Sequence, residues 1–213
     1  MLMTASLTLQ LKKVIRIKGI TEMKILGIAI LLFFYSIYIG KILLQRRKGI
    51  QTDQMAKGKT KDRLFYTELT LKIATYTVVA VEVISIFTVE SGLPGRGALF
   101  GAVLGFIGDA IFAAAVATMK DSWRAGVAEN DKTEMITDGI YQVSRNPAFL
   151  GFDCVYMGLL LMFFNIPLLL FSIFAATMLH LQILQEERYL QTVFGDDYVA
   201  YKSKVCRYLG KKV

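Results

Sequence analysis

Apolar residues along this chain fall into long blocks divided by short polar or basic stretches. A helix of about 20 such residues crosses ~30 Å of hydrocarbon. The blocks predict helical spans over 25–44, 69–89, 98–119, 148–164 and 168–184. The last two are short for spanning helices, which implies tilt or local thinning of the bilayer. Asn165 and Pro167 between them predict a tight reversal, hence a helical hairpin. Gly101, Gly105 and Gly108 sit at near-helical spacing in the third block and permit close helix contact in lipid. From position 185 the pattern predicts an amphipathic helix, a loop and a second short helix over 198–205. The expected fold is an all-α integral membrane protein of about five transmembrane helices, with a C-terminal helical hairpin and cytoplasmic amphipathic tail helices.

Residues 1–23 allow more than one reading. Lys12, Lys13, Arg16 and Lys18 precede an apolar run, as in a signal sequence, yet that run is long enough to span. Alternation of apolar and basic residues over 7–20 suits an interfacial helix instead. A start at Met23 would leave the upstream part a mere extension. Residues 24–213 are expected to form a single membrane domain.

Composition agrees with the pattern. Hydrophobic residues make up 54%, above the share usual for a soluble domain. The net charge of +8 does not point to nucleic acid, because Lys and Arg lie between apolar blocks, as expected near anionic lipid. With 45–63 on the cytoplasmic side, 120–145 and the C-terminal tail follow, and 17 of the 25 Lys and Arg fall inside. The five basic residues at the N-terminus, on the other side, run against that rule. Cys154 and Cys206 are far apart and lack metal-ligand spacing, and a single His180 argues against a histidine metal site. No metal and no nucleic-acid partner are expected; the bilayer is.

Two polar clusters flank the hairpin. The first runs from Asp138-Gly139-Ile140-Tyr141 to Ser144-Arg145-Asn146-Pro147-Ala148-Phe149-Leu150-Gly151; the second holds Gln185-Glu186-Glu187, then Phe194-Gly195-Asp196-Asp197-Tyr198, Tyr201 and Arg207. A tight hairpin makes its arms antiparallel, so both clusters should face each other on one rim. Pro147 suits the first turn of the fourth span and biases Asn146 away from helix. A cation, paired carboxylates and aromatic rings at the lipid–water boundary suit a charged cofactor beside a greasy substrate.

The order Thr137–Tyr141, Arg145–Gly151, Glu186-Glu187, Phe194–Tyr201 and Arg207 resembles the isoprenylcysteine carboxyl methyltransferase family and its phospholipid N-methyltransferase relatives. The resemblance covers about 122–207. It implies an enzyme that binds S-adenosyl-L-methionine at the inner membrane, in a pocket facing the cytoplasm, and methylates a lipophilic small molecule or lipid headgroup. Carried over by position, the cofactor contacts are Thr133, Glu134, Met135, Ile136, Tyr141, Asn146, Pro147, Ala148, Phe149 and Glu186. Candidate catalytic residues are Arg145, Glu187 and His180. The family histidine is Asn146 here, and Phe149 lacks the hydroxyl of the family aromatic. Gln182, a candidate substrate contact, stands where prenylcysteine enzymes carry an arginine tied to the substrate carboxylate, which puts a prenylcysteine substrate in doubt. An amine acceptor needs a base, with Glu187, His180 or a water available, whereas a carboxylate needs none.

Other polar residues read more plainly. Glu82, Asp109 and Asp153 lie within apolar spans, where ionisable groups are functional candidates, although interhelical hydrogen bonding is the expected role for Asp109. Trp123 reads as an interfacial anchor, and Tyr198 and Tyr201 as aromatic-belt residues. Two other functions compete: an NADPH-dependent membrane reductase of the sterol reductase type, and a small membrane transporter using the three buried acids.

Overall fold

The computed structural model describes residues 2–57, 61, 63–90, 96–126 and 134–212, with side chains from Lys18 onward. The protein is an all-α integral membrane protein, with no strand among the described residues. Five helices follow in order: α1 (Leu2–Arg47), α2 (Arg63–Thr88), α3 (Arg96–Met119), α4 (Pro147–Met162) and α5 (Ile166–Lys204). Single 3-10 turns at Lys120–Ser122 and Gly139–Gln142 join the polar segments to them. Among the described residues, four helices are long and apolar enough to cross a membrane, while α4 is shorter.

Residues 2–24 lie in the same helix as the first span. One expectation about helix ends needs correction. The tail helices are not separated by a loop: α5 runs for 39 residues, bent only at Gly195, whose φ of 51° and ψ of −125° interrupt the helical backbone. A left-handed φ costs glycine little, so one residue suffices to redirect the chain. Asn165 behaves as its turn position implies. Its side chain accepts from Leu168 N at 2.9 Å, capping α5, and donates to Ser85 Oγ of α2 at 2.8 Å.

Helices α3 and α4 meet backbone to backbone. A β-carbon built on Gly101 would lie 2.6 Å from Gly158 O, and one on Gly108 would lie 2.7 Å from Gly151 O. Without a hydrophobic drive between helices in lipid, such close packing supplies the association. The glycine stripe of α3 thus has a matching stripe on α4, Gly151 and Gly158. Beside it an aromatic cluster joins α1, α3 and α4: Phe34 stacks on Phe112 at 4.4 Å and meets Phe152 edge-on at 4.6 Å. Trp123 belongs to this cluster, 4% exposed and edge-on to Tyr38. It is a core residue rather than an interfacial anchor.

The polar end is tied together through the chain after α1. Buried Gln45 accepts from Thr52 Oγ1 at 2.6 Å and donates to Trp123 O at 3.1 Å. Asp53 pairs with Ala125 in an isolated bridge and binds Lys57 and Lys72 at 2.8 and 2.9 Å. Burial raises its affinity for a proton, but the two lysines outweigh that and hold the carboxyl below its ordinary range.

Candidate active site

The hairpin brings the two polar clusters together at one rim. Arg145, just before α4, donates from Nη2 to Glu187 Oε1 on α5 at 2.7 Å, with only 4% and 6% of the side chains exposed. Glu187 also accepts from Arg207 Nη2 at 2.9 Å and from Asn146 Nδ2 at 3.2 Å. The hydrogen bond to Glu187 raises the Arg207 guanidinium above even its high ordinary value. Arg145 Nη1 reaches the carbonyls of Lys202 and Val205. This buried cluster ties the start of α4, the middle of α5 and the chain beyond α5 into one unit. Removing Arg145 or Glu187 alone would leave the charge of the other stranded in a low-dielectric setting.

Two cavities adjoin above that unit. The polar one, about 130 Å³, is bounded by Glu134, Met135, Ile136, Tyr141, Asn146 and Glu186, with Arg145, Tyr198 and Tyr201 also on its wall. The apolar one, about 290 Å³, lies between α1, α2, α4 and α5 and is bounded by Tyr35, Leu71, Tyr76, Val79, Phe152 and Leu179. Trp123, Arg124, Ala148, Phe149 and Glu186 border both. On α5 the residues Leu179, Gln182, Glu186 and Leu190 fall on one helical stripe that leads from the apolar cavity to the polar one.

The sequence-derived candidates distribute as follows. Glu134, Met135, Ile136, Tyr141, Asn146, Ala148, Phe149 and Glu186 line the polar cavity. Pro147 occupies the first turn of α4 behind it, and Thr133 lies outside the described residues. Gln182 lines the apolar cavity and donates from Nε2 to Glu186 Oε1 at 3.0 Å. Glu187 borders neither cavity; its oxygens are taken up by the ion cluster. His180 borders neither as well, with Nδ1 2.6 Å from Tyr208 Oη. Asp109 has no hydrogen-bond partner among the described residues, so the structure does not supply the expected interhelical bond.

Sequence reasoning missed part of the wall. Tyr198 is 1% exposed and faces the polar cavity rather than an aromatic belt. Tyr201 donates to Tyr141 O at 2.7 Å, fixing the short turn that carries Tyr141. Burial first, then the nearby Tyr201 and Glu186, holds the Tyr141 hydroxyl protonated far above its ordinary range. Arg145 Nε and Tyr198 Oη are buried without a partner among the described residues. The spacing of Tyr198 and Tyr201 was the available signal, since both follow the bend at Gly195 and reach the wall of the polar cavity.

Comparison with known proteins agrees with this geometry. The family model described as isoprenylcysteine carboxyl methyltransferase (ICMT) matches residues 102–192. The chain is 38% identical over 72 residues to the protein-S-isoprenylcysteine O-methyltransferase of Schizosaccharomyces pombe, covering 33% of this chain and 30% of that protein. It is 28% identical over 109 residues to protein-S-isoprenylcysteine O-methyltransferase B of Arabidopsis thaliana, covering 50% of this chain and 55% of that one. The matched regions thus span between about a third and about half of these curated relatives. The family model thus falls on the segment that carries the hairpin, Arg145 and the pair Glu186-Glu187, and covers less than half of the chain.

Proposed function

We propose that this protein is an S-adenosyl-L-methionine-dependent methyltransferase acting on a lipophilic acceptor, with its site at the cytoplasmic face of the membrane. The observation that carries the reading is the junction of a polar and an apolar cavity through Ala148, Phe149 and Glu186. A nucleoside on one side and a lipid-soluble molecule on the other would meet there. The basic loops on the same rim support the cytoplasmic side.

The residues present suit the nucleoside. Arg145 and Tyr198, two residues on the wall of the polar cavity, carry buried donors, Nε and Oη, without a partner among the described residues, and these suit a carboxylate. Glu134 and Glu186 offer acceptors for an ammonium or ribose hydroxyls, and Tyr141 and Phe149 offer ring faces for a cation. When bound, S-adenosyl-L-methionine supplies an already activated methyl group. The chain's own task is then to orient the partners and exclude water, which the aromatic wall of Trp123 and Phe149 favours.

Roles divide accordingly. Glu186 borders both cavities and is the carboxylate best placed to take a proton from an acceptor. Arg145 binds and orients through Nε, which has no partner among the described residues, while its Nη atoms hold the fold. Glu187 is a positioning residue that fixes Arg145, and His180 lies outside the chemistry. Incubation of membranes containing the protein with a labelled methyl donor tests the proposal: label should enter a lipid-phase product, and less of it with Glu186→Ala. Absence of S-adenosylhomocysteine binding to the purified protein would end it.

A further inference from the structure

Gln182 carries a buried acceptor that no group among the described residues meets. It lies one helical turn before Glu186 on α5 and is 1% exposed. Its amide orientation follows from chemistry. Nε2 donates to Glu186 Oε1 at 3.0 Å, and a carboxylate oxygen of that kind accepts, so the amide oxygen must face away. That oxygen, Oε1, has no hydrogen-bond partner among the described residues, and Gln182 lines the apolar cavity beside the junction. A buried carbonyl in such a place is expensive unless something donates to it.

The cations of the same cavity do not answer that need or recruit an anion. Lys72 Nζ is held by Asp53 Oδ2 at 2.9 Å. Arg124 Nη1 is folded back onto the carbonyls of Asp121 and Trp123. A carboxylate head placed against Gln182 Oε1 would set acceptor against acceptor, beside the carboxylate of Glu186. Building on the methyltransferase reading above, we propose that the acceptor is an amphiphile whose head presents an N–H or O–H to Gln182 Oε1: an amine or a hydroxyl, not a carboxylate. Its hydrocarbon part fills the space between α1, α2, α4 and α5. The head then sits against Glu186, where the two cavities meet.

The test is calorimetric titration of the full chain in detergent with four amphiphiles that share one long alkyl chain: the primary alcohol, the primary amine, the methyl ether and the carboxylate. The alcohol or the amine should bind on the order of tenfold more tightly than the ether and the carboxylate. Whichever of the two binds better identifies the head. Gln182→Met keeps the side-chain length but removes the acceptor, and should bring the ether level with the preferred ligand. Equal or tighter binding of the ether or carboxylate to the wild type overturns the inference, as does a preference unchanged in Gln182→Met. A water alone on Oε1 would give the first of these results. The wild-type comparison decides even if the variant fails to fold. S-adenosylhomocysteine is titrated in parallel. Nucleoside binding without head discrimination removes only this inference, whereas discrimination without nucleoside binding removes the methyltransferase reading.

Discussion

Replacing Glu187 with alanine isolates the part of the rim that holds the fold from the part that meets ligands. The substitution strands the Arg145 guanidinium, 4% exposed, with two backbone carbonyls as its remaining partners. Breaking a buried pair from one side costs about 3–5 kcal/mol, because the surviving charge stays desolvated. Arg207 is 33% exposed, so Arg207→Ala lets water replace the lost partner and should cost about 1 kcal/mol. Replacing both members of the buried pair, Arg145→Met with Glu187→Met, removes the stranded charge and should recover most of the loss of the single change. Thermal unfolding of the purified protein in detergent reads all three variants. The expected order is a drop on the order of 10 °C for Glu187→Ala, a few degrees for Arg207→Ala, and an intermediate value for the double variant. A Glu187→Ala protein as stable as the wild type would refute the reasoning. So would a double variant that loses the full sum of its parts.

Further outcomes follow from the same geometry. Glu186→Gln keeps an oxygen to accept from Gln182 Nε2 but removes the charge, and should weaken S-adenosylhomocysteine binding on the order of tenfold while leaving the melting temperature nearly unchanged; titration and thermal scans on one preparation check both halves. Gly108→Val drives a side chain into Gly151 O, already 2.7 Å from a single added carbon, and should cost at least about 1–3 kcal/mol, measurable as lost folded yield and lowered thermal stability, whereas Gly19→Ala, with open space, should be silent. Asp53 has a folded carboxyl value below its unfolded one, so its contribution is intact above the unfolded value near ~4 and is lost as pH falls through the lowered folded value. Hydrogen exchange at the amides of Gln54 and Ala125 should therefore keep the same protection from neutral pH down to about 5, and Asp53→Asn should abolish part of it throughout. His180→Ala should leave nucleoside binding unchanged, as the ring contacts Tyr208 outside both cavities; a large loss in titration would contradict that placement.

Much of this architecture was legible in the residues themselves. Block length sets the number of membrane-length helices, because hydrocarbon thickness and helical rise are fixed quantities. Asn165 and Pro167 announce the hairpin, since one caps a helix and the other can only begin it. From the hairpin alone it follows that Arg145 and the acidic pair share a rim. Which carboxylate does what does not follow. Glu186 and Glu187 are neighbours in sequence, but a helix turns them about 100° apart, one toward the cavities and the other into the ion cluster. The sequence cannot rank them, because the difference lies in what α4 and the chain after α5 place beside each. Trp123 and Tyr198 show the same limit. An aromatic residue near a span end suits an interface equally well, and only long-range packing of α1 and α3, or the bend at Gly195, buries it. Local chemistry and periodicity decide which segments enter the membrane and where they turn; contacts between residues far apart in the chain decide which polar group is spent on the fold and which is left for a ligand.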